Sequence, residues 1–201
     1  MHYIIDAFHF LNTNPTILTA ASHINVFFLF SFFGWIMECC VLTVEKRHFV
    51  FDRGFIRGPF CIIYGFGAVA GYYILRIFSF NTAVLFIAGA VCATLFELFT
   101  ALLMKRVFGS FWWDYSNKPF NYKGMICLES TLAWGVIGVL IVKLLFSAVW
   151  NLASRIPSVL TVKCAAVLVI YYAVDFAFSV RRALVIKARR DECAVNLRES
   201  I

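Results

Sequence analysis

The sequence predicts an all-α polytopic membrane protein, built as a bundle of about five transmembrane helices. Of its 201 residues, 62% are apolar and only 14% are charged, and the mean hydropathy of +0.84 lies above that of soluble domains. The apolar residues form continuous runs of about twenty, the length that crosses a bilayer as a helix. Because these runs do not alternate with a period of two, helices that pair their own backbone amides are favoured over a barrel.

Five apolar runs give the expected spans, at residues 24–44, 60–79, 82–104, 128–150 and 159–180. No Lys or Arg precedes Lys46, so the basic opening of a secretory signal peptide is missing and we expect the first helix to be retained. Only a very short turn near Asn81 joins the second and third runs.

The segments outside these runs complete the predicted organisation. Residues 1–23 are moderately apolar and contain Asn14 and Pro15, which is typical of an extracytoplasmic or interfacial segment rather than a sixth span. Residues 24–180 form the five-helix transmembrane domain. Residues 181–201 form a basic cytoplasmic tail that could also bind anionic lipid head groups.

Positive charge sets the predicted orientation. Most of the 18 Lys and Arg residues fall in the loops after the first and third spans and in the C-terminal segment. Since basic residues concentrate on the cytoplasmic side, we expect the N-terminus outside and the C-terminus in the cytoplasm, in a bacterial inner membrane. The net charge of +7 then follows from topology, and we expect the lipid bilayer but no nucleic acid as a partner.

Four acidic residues lie within or at the edge of spans, all toward the predicted cytoplasmic ends: Glu38, Glu97, Glu129 and Asp175. At 1.5 Å per residue, three of them are roughly 9–10 Å inside their helix ends, and Glu129 is shallower. A carboxylate at that depth is costly unless it pairs, is protonated or faces water, so such residues indicate a functional site. If the spans end a turn earlier, the same side chains reach the head groups instead.

Two predicted cytoplasmic loops could supply partners for these acids. The first carries Arg53 and Arg57 between glycine and proline turns, and the planar guanidinium suits a carboxylate or a phosphate. The second carries Asp114 and Asn121 beside adjacent tryptophans that are typical of interfacial anchors. The substrate and cavity candidates are Glu38, Arg53, Arg57, Glu97, Asp114, Asn121, Glu129 and Asp175.

Several chemical signatures are missing from the sequence. The seven cysteines lack zinc-ligand spacing, and those inside spans behave as small apolar residues, so we expect no metal site and no cofactor. The sequence has no phosphate loop, no zinc-protease helix and no nucleophile elbow. We therefore assign no catalytic residue and lean against an enzyme, and ATP-driven transport would need a separate ATPase subunit.

Small residues recur at four-residue spacing in two of the predicted helices. Gly67 and Gly71 form such a pair in the second span, and Gly89 and Ala93 form one in the third. Pairs of this kind let helix backbones approach closely. We expect both pairs to serve helix packing.

Two ordered motif blocks lie between about residues 30 and 140. The first block comprises Gly34-Trp35 with Glu38, Arg53-Gly54-Phe55, Gly58-Pro59-Phe60-Cys61 and Ile63-Tyr64-Gly65-Phe66-Gly67. The second comprises Trp113-Asp114-Tyr115-Ser116, Pro119-Phe120-Asn121, Gly124, Ile126-Cys127-Leu128 and Trp134-Gly135. Together the two blocks resemble the Putative ABC-transporter type IV family, called CmpB-like. The sequence departs from the family pattern at Asp52, where Asn is usual, and at Ile62, where Pro usually follows Cys.

The resemblance implies a permease-like membrane subunit. Together with the buried acids and the loop residues, it favours a cytoplasm-facing polar cavity for an unidentified substrate, with a separate ATPase below it. Because five spans make a small permease, self-association is a further expectation. A second interpretation is a membrane-embedded enzyme or binding protein acting on an anionic lipid-linked or phosphorylated substrate. A third is a protein whose buried charges serve only assembly and partner binding.

Overall fold

The computed structural model describes residues 14–199, with side chains described through Cys193. Five helices account for most of this part of the chain, which holds no strand, so the all-α prediction is confirmed. The helices are α1 (Pro15–Lys46), α2 (Ile62–Leu75), α3 (Thr82–Phe108), α4 (Leu128–Ala153) and α5 (Ser158–Glu199). We call the end of the bundle that carries the connections 47–61 and 109–127 the loop end.

The first helix begins earlier than the apolar run suggests. Asn14 caps it, because its Oδ1 accepts hydrogen bonds from the backbone N–H of Thr16 at 3.0 Å and of Ile17 at 3.3 Å. Pro15 follows at the first helical position, where its fixed φ favours a helix start. Residues 15–23, expected in an interfacial segment, are therefore helical and continuous with the first span, and residues 1–13 lie outside the described residues.

Among the described residues, four helices are long and apolar enough to cross a membrane: α1, α3, α4 and the part of α5 from Ser158 to Cys193. The second helix is shorter. Together with a 3-10 turn at Arg76–Phe78 it gives the apolar segment Ile62–Phe78, roughly 25 Å long at 1.5 Å per residue. A hydrocarbon core is about 30 Å thick, so the α2 segment is about 5 Å shorter than this thickness and is the shortest of the five expected spans.

Glycines determine how closely the central helices approach. Gly89 on α3 faces Gly138 on α4, and a Cβ added to Gly138 would lie 3.1 Å from the Cα of Gly89. Gly89 therefore has the helix-packing role that the sequence predicts. Gly67 and Gly71 on α2 differ, because an added Cβ at either would have no described heavy atom within 4 Å apart from its chain neighbours and the backbone of α2 itself. In this chain they leave open space beside α2 instead of bringing a second helix close.

The last helix extends well past the bundle. α5 has 42 residues, roughly 63 Å of helix, about twice the thickness of a hydrocarbon core. The segment expected as a basic tail from residue 181 is thus a continuation of α5, helical through Glu199. Lys187 donates a hydrogen bond to the carbonyl oxygen of Val107 at 3.0 Å, which satisfies a free carbonyl at the end of α3.

Candidate functional site

A carboxylate on α5 holds the first loop at the loop end. The Asp175 oxygens accept hydrogen bonds from the backbone N–H of Arg57 at 3.3 Å and of Gly58 at 2.7 Å. A side chain at Gly58 would collide with Tyr171 and Asp175, so glycine permits this approach. Asp175 is therefore a loop anchor and does not join the other acids. The Arg57 side chain forms no ion pair with a described residue.

Aromatic packing also holds this loop in place. The ring of Phe55 contacts three rings on neighbouring elements: Phe108, Trp112 and Phe176. The next residue, Ile56, is buried. On the other side of Arg53, the backbone N–H of Val50 donates a hydrogen bond to the Thr43 hydroxyl of α1 at 3.0 Å, so the loop is held on both sides of Arg53.

Glu38 on α1 meets Arg53 from this loop. One carboxylate oxygen lies 3.7 Å from a terminal guanidinium nitrogen of Arg53, and the other accepts a hydrogen bond from the Tyr64 hydroxyl at 2.5 Å. The Nε of Arg53 is buried and has no hydrogen-bond partner among the described residues. This part of the site therefore combines the ion pair between Glu38 and Arg53 with one N–H donor, at the Arg53 Nε, that has no described acceptor.

Glu97 on α3 is the most deeply buried of the predicted acids, with 4% of its surface exposed. It accepts hydrogen bonds from the Tyr115 hydroxyl at 3.0 Å, the Trp134 indole N–H at 3.1 Å and the Ser130 hydroxyl at 3.3 Å. No Lys or Arg in the described part of the chain forms an ion pair with it. The described groups that stabilise the Glu97 carboxylate are therefore all neutral hydrogen-bond donors.

Two aromatic rings connect the two carboxylates. The ring centroids of Tyr64 and Trp134 lie 5.6 Å apart, and these side chains hydrogen-bond Glu38 and Glu97 respectively. Burial, with the negative charge of Glu97, raises the pKa of the Tyr115 hydroxyl, so Tyr115 stays protonated as a donor. We call the following set the carboxylate cluster: Glu38, Arg53, Tyr64, Glu97, Tyr115, Ser130 and Trp134.

Glu129 lies outside this cluster, on the surface of the loop end. Its carboxylate is 3.1 Å from Lys118, which also lies 3.8 Å from Glu45. The Glu129 side chain is 66% exposed. The hydrogen bond and negative charge of Glu129 raise the pKa of Lys118. Surface pairs of this kind contribute little to stability.

Asp114 and Asn121 shape the second loop. The Asp114 carboxylate accepts hydrogen bonds from the backbone and hydroxyl of Ser116, which hold the pKa of Asp114 below its usual value. The Asn121 side chain donates to the carbonyl oxygens of Ser116 and Lys118 and accepts from the N–H of Gly124. Gly124 has a φ of +70°, which glycine adopts readily. Both residues therefore position the turn that carries Tyr115.

Four members of the cluster were not expected from the sequence: Tyr64, Tyr115, Ser130 and Trp134. They carry no charge at neutral pH, whereas membrane-buried charge is the pattern that indicates Glu38 and Glu97. A signal was nevertheless present, since Tyr64, Tyr115 and Trp134 fall inside the motif blocks. Ser130 and Trp134 are also one helical turn apart, so both reach Glu97 from one face of α4.

An apolar cleft of about 220 Å³ begins at the cluster. It lies between α2, α3 and α4, with Tyr64, Glu97 and Trp134 lining its loop end. Gly67 and Gly71 line one side, and Leu75, Gly89 and Gly138 line its far end. The open space beside the α2 glycines is thus part of this cleft.

Comparison with known proteins agrees with the motif blocks. The family model described as Putative ABC-transporter type IV matches residues 25–180, a range that contains the whole carboxylate cluster and the cleft. Neither the curated proteins nor the solved structures give a match. Because the family model covers most of the chain and the helices are long and apolar, the chain is a multi-pass membrane protein that belongs to the Putative ABC-transporter type IV family.

Proposed function

We propose that the chain is a permease-like membrane subunit of an ABC-type transporter, and that its carboxylate cluster lines a polar, cytoplasm-facing cavity that contacts the substrate. The observation that carries this proposal is Glu97, which is almost fully buried and has neutral donors as its only described partners. Ionisable groups at such depth are costly and usually serve substrates or ions. Family membership supports the same role.

The loop end is the cytoplasmic face in this proposal. The basic residues of the two loops and of the extended part of α5 lie there, as the positive-inside rule requires for a bacterial inner-membrane protein. Since the sequence has no phosphate loop, a separate ATPase would bind this face and supply the energy. Self-association of the chain stays a prediction.

Purification of the tagged chain from its native host in a mild detergent tests the role. We expect mass spectrometry to find an ATPase in stoichiometric amount, and Glu97→Gln to leave that complex intact while lowering its transport. Glu129→Gln is the matched control, because Glu129 is an exposed acid outside the cluster. Recovery of the chain without an ATPase, including after crosslinking in cells, would rule out the permease role.

One observation favours a second candidate, a membrane protein that binds an anionic lipid-linked or phosphorylated substrate. The buried Arg53 Nε has no described acceptor, and a phosphate oxygen is a suitable one. The same purification distinguishes the two roles. A phosphorylated compound retained by the wild type without any ATPase, and lost in Arg53→Gln, would support the second candidate over the first.

A further inference from the structure

We propose that the cleft between α2, α3 and α4 binds an amphiphile with a cationic ammonium head, which contacts Glu97, and an apolar tail, which lies along the cleft. This inference rests on the proposed function, since it names the substrate class for the same cluster. It concerns binding by the chain alone, so it can be tested apart from any ATPase.

The charge of Glu97 selects the head group. An ionised carboxylate has about four acceptor positions, and the described donors Tyr115, Ser130 and Trp134 use three of them. The Ser130 hydroxyl also lies 3.0 Å from the carbonyl oxygen of Cys127, so it is shared between two acceptors. No described cation pairs with Glu97. An ammonium group would supply both the missing hydrogen bond and the missing positive charge.

The aromatic residues around Glu97 favour the same chemistry. Tyr64, Phe96 and Trp134 line the cleft with Glu97. The negative faces of aromatic rings attract cations, and the attraction is strongest where water is excluded. An anionic head group would instead meet an unpaired carboxylate, which makes the cleft unfavourable for it.

The rest of the cleft suits an apolar tail. From Glu97 to Gly89 the lining runs along two turns of α3, roughly 12 Å. Beyond its polar end the lining is Gly67, Gly71, Leu75 and similar residues without charge. Gly67 and Gly71 keep this space open, because side chains at these positions would occupy it.

Calorimetric titration of the purified chain in a nonionic detergent tests the site with hexylammonium as the probe. We expect saturable binding, with butylammonium several-fold weaker because each buried methylene adds affinity. Hexanol is the neutral control and should bind much more weakly. Glu97→Gln should lower the affinity for hexylammonium by about tenfold or more and leave the affinity for hexanol unchanged, since only the charge contact is lost. Glu129→Gln should bind as the wild type does.

A second variant tests the position of the tail and does not depend on Glu97. Gly71→Leu places a side chain in open space, so the fold should persist while binding of hexylammonium is lost. Equal binding of hexanol and hexylammonium, or unchanged binding in Glu97→Gln, would overturn the assigned head group. Unchanged binding in Gly71→Leu would overturn the assigned tail position.

A membrane lipid with an amino head group and a free alkylamine share this chemistry. Mass spectrometry of the purified chain distinguishes between these two ligands. An aminolipid retained by the wild type and absent from Glu97→Gln would identify the lipid, and an empty cleft that takes up hexylammonium would identify the free amine. A chain that retains no lipid and takes up no hexylammonium would refute the proposal, whether or not an ATPase co-purifies.

Discussion

Asp175 of α5 lies 2.7 Å from the backbone nitrogen of Gly58, so the last helix of the bundle holds the loop that carries Arg53. The same carboxylate accepts a second hydrogen bond from the Arg57 N–H. The position of Arg53 over Glu38 therefore depends on a residue that is distant in sequence and outside the carboxylate cluster. Asp175 lies at the depth expected of a cavity residue, but its described hydrogen bonds hold the first loop in place.

Replacement of this acid should loosen the loop. We expect Asp175→Asn to lower the free energy of unfolding by about 1–3 kcal/mol, because an amide oxygen is a weaker acceptor for two backbone N–H groups than a carboxylate. Titration with a denaturing detergent, followed by circular dichroism, measures the change. Glu192→Gln is the control on the same helix, since Glu192 is exposed, and equal effects in both variants would contradict the anchoring role.

The hydrogen bond between Tyr64 and Glu38 should show energetic coupling. Tyr64→Phe keeps the ring beside Trp134 but removes the hydroxyl, so Glu38→Gln in that background should cost less than in the wild type. We expect a coupling free energy of about 1 kcal/mol in a double-mutant cycle read by unfolding titration. The pair Tyr64→Phe and Glu129→Gln should be additive, and additivity in both pairs would show that the two side chains do not interact.

Close packing at Gly34 should control the position of Tyr64. A Cβ added to Gly34 would overlap the Tyr64 ring, whereas one added to Gly67 meets open space. Both alanine substitutions gain the same helix propensity, about 1 kcal/mol. We expect Gly34→Ala to be less stable than Gly67→Ala by about 1–3 kcal/mol and to lose the coupling between Tyr64 and Glu38. Equal stabilities would mean that the ring moves aside freely.

The thiol of Cys61 should resist alkylation. The residue is buried, with 7% of its surface exposed, and apolar surroundings disfavour the thiolate that reacts with maleimide. In variants with a single cysteine, maleimide should modify exposed Cys193 readily and Cys61 only after unfolding. Rapid labelling of folded Cys61 would refute the predicted environment.

Apolar runs were sufficient to predict the helices, because a bilayer requires length and hydrophobicity that few other structures share. They did not determine which acids meet. Helices that are apolar all round have no amphipathic face to orient them, so depth alone did not distinguish Glu38, Glu97 and Asp175. Their rotation about each helix axis, set by packing, brings Glu38 and Glu97 toward the same cluster and turns Asp175 toward the first loop.

Local chemistry predicts the observed contacts of two other residues, Asp114 and Asn14. Asp114 is followed two residues later by Ser116, a spacing at which Asp accepts a hydrogen bond from its own chain and forms a turn. Asn14 before Pro15 likewise has the pattern of a helix start. Both patterns are present in the sequence, but charge alone favours a cavity role for Asp114, and polar residues alone favour an interfacial segment at Asn14.

The unbroken course of α5 makes it a lever. Lys187, bonded to the end of α3, is the natural pivot, and Asp175 lies roughly 18 Å away along the helix. A tilt of about 5° at that pivot would displace Asp175 by about 1.5 Å, more than a 2.7 Å hydrogen bond to Gly58 tolerates without the loop following. A force that tilts α5 near Glu199 would therefore move the first loop and change the distance between Arg53 and Glu38.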